Sequence, residues 1–172
     1  MKNNKIKKLA FLGLCTAVTL ILAYVEALLP PLWAAVPGIK MGLPNIMLLF
    51  LLYRFSAKEA AAVSLVRLFA VALLFGNIMT LAYSFAGAVL SLGVMSLLKK
   101  IDRFSMVAVS IMGGIFHNLG QILVAMLVLE TAEIGYYMIV LTVTGTVAGI
   151  LVGIAGWLVL KYLNKKRFDT TY

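Results

Sequence analysis

One histidine, one cysteine, four prolines and six carboxylates in 172 residues leave little material for most kinds of catalysis. With His117 alone there is no His-Glu-x-x-His zinc motif and no histidine cluster for a metal. The only aspartates are Asp102 and Asp169, so the aspartate clusters that hold a diphosphate through magnesium are missing. No glycine-rich phosphate loop precedes a lysine, and no serine stands in a nucleophile elbow. No two carboxylates lie close together in an apolar segment. Cys15 sits inside the first apolar run, which excludes a disulfide framework and a cysteine metal site and leaves it a small apolar residue. These absences predict a protein that is not an enzyme and carries neither metal nor cofactor.

Charge is scarce too. Only 12% of residues are charged while 63% are hydrophobic, and the mean hydropathy is +1.07. A water-soluble domain has nowhere to put that much apolar surface. The expectation is therefore an all-α integral membrane protein of one domain, residues 1–172, embedded in a lipid bilayer. The net charge of +9 does not imply nucleic acid, because the basic residues stand at the ends of apolar segments, where they orient a chain in the bilayer.

Six helices are predicted. A basic leader, residues 1–8, precedes an apolar run from Leu9 to about Leu29, too long for a signal peptide and followed by further spans. Pro30-Pro31 ends it. Residues 32–44 contain Trp33, Pro37, Gly38, Lys40, Gly42 and Pro44, the composition of an irregular loop that dips back toward the membrane. The second helix, from about Pro44 to Tyr53, is short for a span of about 20 residues. Arg54 to Glu59 forms a charged turn, and the third helix runs to about Phe75 with Arg67 near its middle. After Gly76-Asn77 a fourth helix reaches Leu98, and its Ser84, Gly87, Ala88 and Ser91 suit close packing. The fifth spans about Ser105 to Leu129. An acidic turn over 130–135 leads to the sixth, Tyr136 to about Leu163, with Gly145, Gly149 and Gly153 spaced four apart as a packing seam. A polar tail, 164–172, follows.

The charges support this count. Lysines 2, 5, 7 and 8, Arg54, Lys58, Lys99, Lys100, Arg103, Lys161, Lys165, Lys166 and Arg167 all fall on one side if six helices cross. They are thirteen of the 15 basic residues, so the positive-inside rule puts both termini in the cytoplasm. The outer connections keep Lys40, Glu130 and Glu133.

Against this apolar background the stretch Gly113-Gly114-Ile115-Phe116-His117-Asn118-Leu119-Gly120-Gln121 stands out. On a helix, Gly114, His117, Asn118 and Gln121 fall within an arc of about 100°. Lipid offers these groups no hydrogen bonds, so the stripe faces other helices or a water-accessible cavity. Arg67 poses the same question: a guanidinium at mid-membrane costs about 2.5–3.5 kcal/mol on the insertion scale. Structural pairing and ligand contact are both open for it, and helix-to-helix bonding is open for the polar stripe. If the third and fifth helices both run outward, Arg67 and His117 lie at about 15–18 Å from their inner ends, at matching depth. On the first helix, the small residues Ala10, Gly13 and Ala17 allow close approach of another helix.

The 37–45 loop, the Arg67 helix and the His117-Asn118-x-x-Gln121 helix resemble the Gx transporter family, also labelled heptaprenyl diphosphate synthase component I. More distantly the chain resembles the substrate-binding S components of energy-coupling-factor transporters. The likeness covers nearly the whole chain; Pro44 departs from it, where a small residue before Asn45 is expected. The resemblance implies a multi-pass subunit of the bacterial plasma membrane that captures a solute from outside, without implying which; the polar stripe and Arg67 themselves point to a polar or anionic small molecule. Lys40 and Asn45 would belong to the covering loop, with Arg67, His117, Asn118 and Gln121 lining the pocket. Ala10, Gly13 and Ala17 would meet a transmembrane coupling subunit driven by cytoplasmic ATPases. The label carries the alternative, a non-catalytic membrane partner of a prenyl diphosphate synthase.

Overall fold

The computed structural model describes residues 2–28 and 42–169. Among them the chain is helical, with no strand. The helices are α1 (Lys2–Leu28), α2 (Leu43–Arg54), α3 (Ala57–Phe75), α4 (Ile78–Ile101), α5 (Met106–Leu129) and α6 (Met138–Asp169), the last preceded by a short 3-10 turn over Glu133–Tyr137. Four stretches are long and apolar enough to cross a membrane: Lys5–Leu28, Ile78–Ile101, Met106–Leu129 and Glu133–Leu163. Their large apolar side chains stay exposed, Ile78 and Leu127 among the most open, as lipid-facing surface requires.

Two boundaries differ from the sequence reading. The basic leader is not separate from α1: the helix begins at Lys2. The polar tail likewise continues α6 as far as Asp169. Lysine and arginine are good helix formers, so a helix nucleated in the apolar stretch propagates into its charged flank.

At the centre lies α2, only 12 residues long. Leu48, Leu49, Phe50, Leu51 and Leu52 are five consecutive residues, each 0–6% exposed. Successive residues point 100° apart, so such a run is enclosed on all sides. α2 packs against α1, α3 and α6. Pro44, the departure noted above, is harmless where it stands. It occupies the first turn of α2, where backbone N–H groups have no helical partner in any case. Gly42, at φ 76°, supplies the left-handed turn before it.

α3, α4 and α5 start on side-chain caps. Ser56 accepts from the Lys58 N–H, Asn77 Oδ1 from the Thr80 N–H at 2.8 Å, and Ser105 from the Ala108 N–H at 3.1 Å. α4 and α6 both pack along α5. The glycine ladder of α6 makes that contact. A Cβ on Gly145 would come within 3.1 Å of the Gly114 backbone, one on Gly149 within 2.6 Å of Ile111 Cα, and one on Gly153 within 2.8 Å of Val107 Cα. The expected packing seam is there, with α5 as its partner.

Basic side chains collect at one end of the bundle. Lys8 of α1 forms an ion pair with Glu59 at the start of α3. Lys99, at the end of α4, donates to the carbonyl of Leu52 near the end of α2 and lies 5.4 Å from the Tyr53 ring centroid. A cation on the last carbonyls of a helix opposes its dipole favourably. Glu59 also accepts from the Ser56 hydroxyl.

Candidate functional site

Two three-helix groups, α1–α3 and α4–α6, meet along α2·α6 and α3·α4 contacts. Between them lies a cavity of about 110 Å³. It sits toward the end of the bundle where α1 finishes and α2 begins, since Glu26, Gly42 and Asn45 all line it.

Five of the six residues singled out for a pocket line this one cavity: Asn45, Arg67, His117, Asn118 and Gln121. They come from three different helices, α2, α3 and α5. The sixth, Lys40, lies outside the described residues.

Each polar group has a local reason for its position. The His117 ring lies against Gly87 of α4: a Cβ there would stand 2.9 Å from its Cε1 and Nδ1. Gly87 was expected to serve helix packing, and what it packs is this imidazole. Asn118 donates its amide to the carbonyl of Leu141 on α6 at 2.7 Å. Of the two roles left open for the stripe, Asn118 therefore takes the helix-bonding one while still facing the cavity. Gly145 makes room for that amide, since a Cβ there would be 2.9 Å from Nδ2.

Arg67 is 8% exposed, and its Nε has no hydrogen-bond partner. Ser64, one turn earlier on α3, is also buried with an unpartnered hydroxyl. Structural pairing through an ion pair does not hold for Arg67: among the described residues the one pair within 4.0 Å is Lys8–Glu59. A buried donor without an acceptor costs roughly 1–3 kcal/mol, and more when charged, so such an atom is poised for an acceptor in the cavity.

Sequence reasoning left Glu26 out of the site. Its Oε1 accepts from the backbone N–H of Gly42 and from that of Leu43 at 3.2 Å, capping α2 from another helix. A carboxylate at a helix N-terminus is favoured by the dipole and by the free N–H groups. The available signal was a lone acid near the end of an apolar run, which hydrocarbon alone would not tolerate. Ser91 and Ser110, both buried, line the deeper part of the cavity. Ser91 had been read as packing surface only.

Among the described residues no three His, Cys, Asp or Glu side chains converge where a metal ion could sit. On α1, Ala10, Gly13 and Ala17 are exposed, and a Cβ on Gly13 would meet nothing within 4 Å. Among the described residues nothing packs over Gly13, and Ala10 and Ala17 on the same stripe stay exposed.

No curated protein and no solved structure matches the chain. The family described as heptaprenyl diphosphate synthase component I matches over residues 15–159, from within α1 to well inside α6 and across every cavity-lining helix, and the chain belongs to that family.

Proposed function

We propose that this chain is the membrane-embedded solute-binding subunit of an uptake transporter for a small polar molecule. The observation that carries the proposal is the cavity itself: charged and amide side chains from α1, α2, α3 and α5 meet in one space, and the buried Arg67 Nε there has no partner. A purely structural Arg would be paired, given what leaving it unpaired costs in a membrane. In this proposal the chain crosses the bilayer of a bacterial plasma membrane six times, with both termini in the cytoplasm. The clustering of Lys8, Arg54, Lys58, Lys99 and Lys161 at one end supports that orientation, and the cavity then opens toward the outside. The bare stripe Ala10, Gly13 and Ala17 is the surface for a transmembrane coupling subunit, with ATPases supplying energy from the cytoplasm. The chain itself is not catalytic.

The family description favours a second reading, a non-catalytic membrane component that works with a heptaprenyl diphosphate synthase. The basic end of the bundle would then dock that partner and the cavity would be structural.

Native mass spectrometry of the purified protein separates the two. A retained small molecule is expected, and Arg67→Gln and Gln121→Leu should each lose most of it. Loss of a charge-assisted contact costs about 1.5–3 kcal/mol, roughly ten- to a hundredfold in affinity. Full retention in both variants would overturn the solute-binding reading.

A further inference from the structure

The charges facing the cavity can be read element by element. Among the described lining residues α1 contributes Glu26, α3 contributes Arg67 and α5 contributes His117, while α2, α4 and α6 contribute no ionisable group. One fixed cation and one carboxylate thus share a space between helices. They do not neutralise each other directly, because no ion pair within 4.0 Å joins them. Each also keeps free hydrogen-bonding capacity. Arg67 Nε is buried without an acceptor. Glu26 commits Oε1 to the Gly42 and Leu43 N–H groups, and among the described residues no hydrogen bond reaches its Oε2.

A simple anion is a poor complement to this arrangement. It would gain the guanidinium but lie in the field of the Glu26 carboxylate, inside a membrane that screens little. A simple cation meets the mirror problem. A molecule with both charges satisfies both groups and adds no net charge to a buried site. We propose, on the reading of the cavity as a solute site, that its ligand is a small zwitterion, an amino carboxylic acid whose carboxylate meets Arg67 and whose ammonium meets Glu26. The planar fork of arginine matches a carboxylate, and the Ser91 and Ser110 hydroxyls on the same cavity can donate to its remaining lone pairs. The volume agrees: a cavity of about 110 Å³ has room for several water-sized groups, enough for the head group of an amino acid.

The test is calorimetric titration of the full-length protein in detergent at pH 7 with three matched series. Glycine, β-alanine, 4-aminobutyrate and 5-aminovalerate are compared with acetate, propionate, butyrate and valerate, and with methylamine, ethylamine, propylamine and butylamine. At least one zwitterion should bind about tenfold or more tightly than both its matched carboxylate and its matched amine. Glu26→Gln keeps an oxygen for the α2 cap, and should erase the preference for zwitterion over carboxylate. Arg67→Gln should erase the preference for zwitterion over amine. Arg67→Lys, which preserves the cation if the first variant does not fold, should retain it with weaker binding. If every zwitterion that binds the unmodified protein is equalled by its matched carboxylate or its matched amine, the charge-pair proposal sinks and the solute site stands. No binding in any of the series overturns the charge-pair proposal, while the solute site then stands or falls on the small molecule retained in native mass spectrometry.

Discussion

The α5–α6 seam makes a quantitative prediction that does not depend on the ligand. An ideal Cβ on Gly149 would lie 2.6 Å from Ile111 Cα and 2.9 Å from the Ser110 carbonyl oxygen, both backbone atoms that cannot rotate away. Ordinary carbon contacts lie at about 3.5–4.0 Å, so Gly149→Ala forces the two helices apart by about 1 Å. Gly13→Ala is the matched control, because its Cβ meets nothing within 4 Å. Both substitutions sit in helices and share the same gain in helix propensity, about 0.5–1 kcal/mol. That gain cancels in the comparison and leaves the overpacking cost, about 1–3 kcal/mol. At roughly 2–4 °C per kcal/mol, Gly149→Ala should melt about 2–12 °C below Gly13→Ala. Thermal unfolding of both proteins in the same detergent measures the gap. If Gly149→Ala melted at or above Gly13→Ala, the seam as described would be wrong.

Further outcomes follow from other contacts. In a Cys15→Ala background, a cysteine at position 133 should react with an impermeant probe from outside intact cells and one at position 100 should not; reaction at 100 would end the six-span topology. Gly13→Leu should leave the isolated protein folded, since nothing surrounds that site, yet weaken pull-down of a coupling subunit; unfolding would make the stripe an internal seam. Asn118→Leu removes the bond to the Leu141 carbonyl and should cost about 0.6–1.7 kcal/mol, read as a lower melting temperature; an unchanged melt would mean the bond contributes nothing. At the charged turn below α3, bonds from Lys8 and then Ser56 hold the Glu59 carboxyl down at about 2, from an ordinary 4.5. A folded-state pKa depressed in this way contributes stability that is complete above about pH 4.5 and lost as pH falls through about 2. Melting temperature should drop across that window, and Glu59→Gln should flatten the drop.

What could be read in advance was whatever depends on position along a helix. The α5 stripe, the placing of Arg67 and His117 on one cavity and the α6 ladder all follow from a fixed rise and a fixed turn per residue, so residue numbers were enough. Contacts that join distant segments were not legible. Glu26 meets Gly42 and Leu43 across 16 or 17 positions, and no periodicity within α1 reveals which helix start it will cap. The choice of Leu141 as the acceptor for Asn118 is hidden in the same way, because it depends on how far α5 slides along α6 before Gly114 meets Gly145. The helical extent of the basic leader was missed for a different reason. An apolar window reports where lipid lies, and a helix does not stop at that boundary when its next residues are lysines.

The shortness of α2 connects the fold to the cavity. Twelve residues rise about 18 Å, whereas the hydrocarbon core is about 30 Å thick, so on the six-span proposal α2 by itself would leave roughly 12 Å of depth uncovered. Its lower end is fixed by Lys99 on the Leu52 carbonyl and its upper end by Glu26 on the Gly42 and Leu43 N–H groups. Those are a cation at the C-terminus and an anion at the N-terminus, the two signs the helix dipole favours. The first turn of α2, with Gly42, Pro44 and Asn45, is then the part that lines the cavity. A full-length second helix would fill that space with apolar side chains and bury Arg67 with nothing to meet. Ending the helix low, and capping it with a carboxylate from α1, leaves a polar space in front of the guanidinium and puts an opposite charge on its wall.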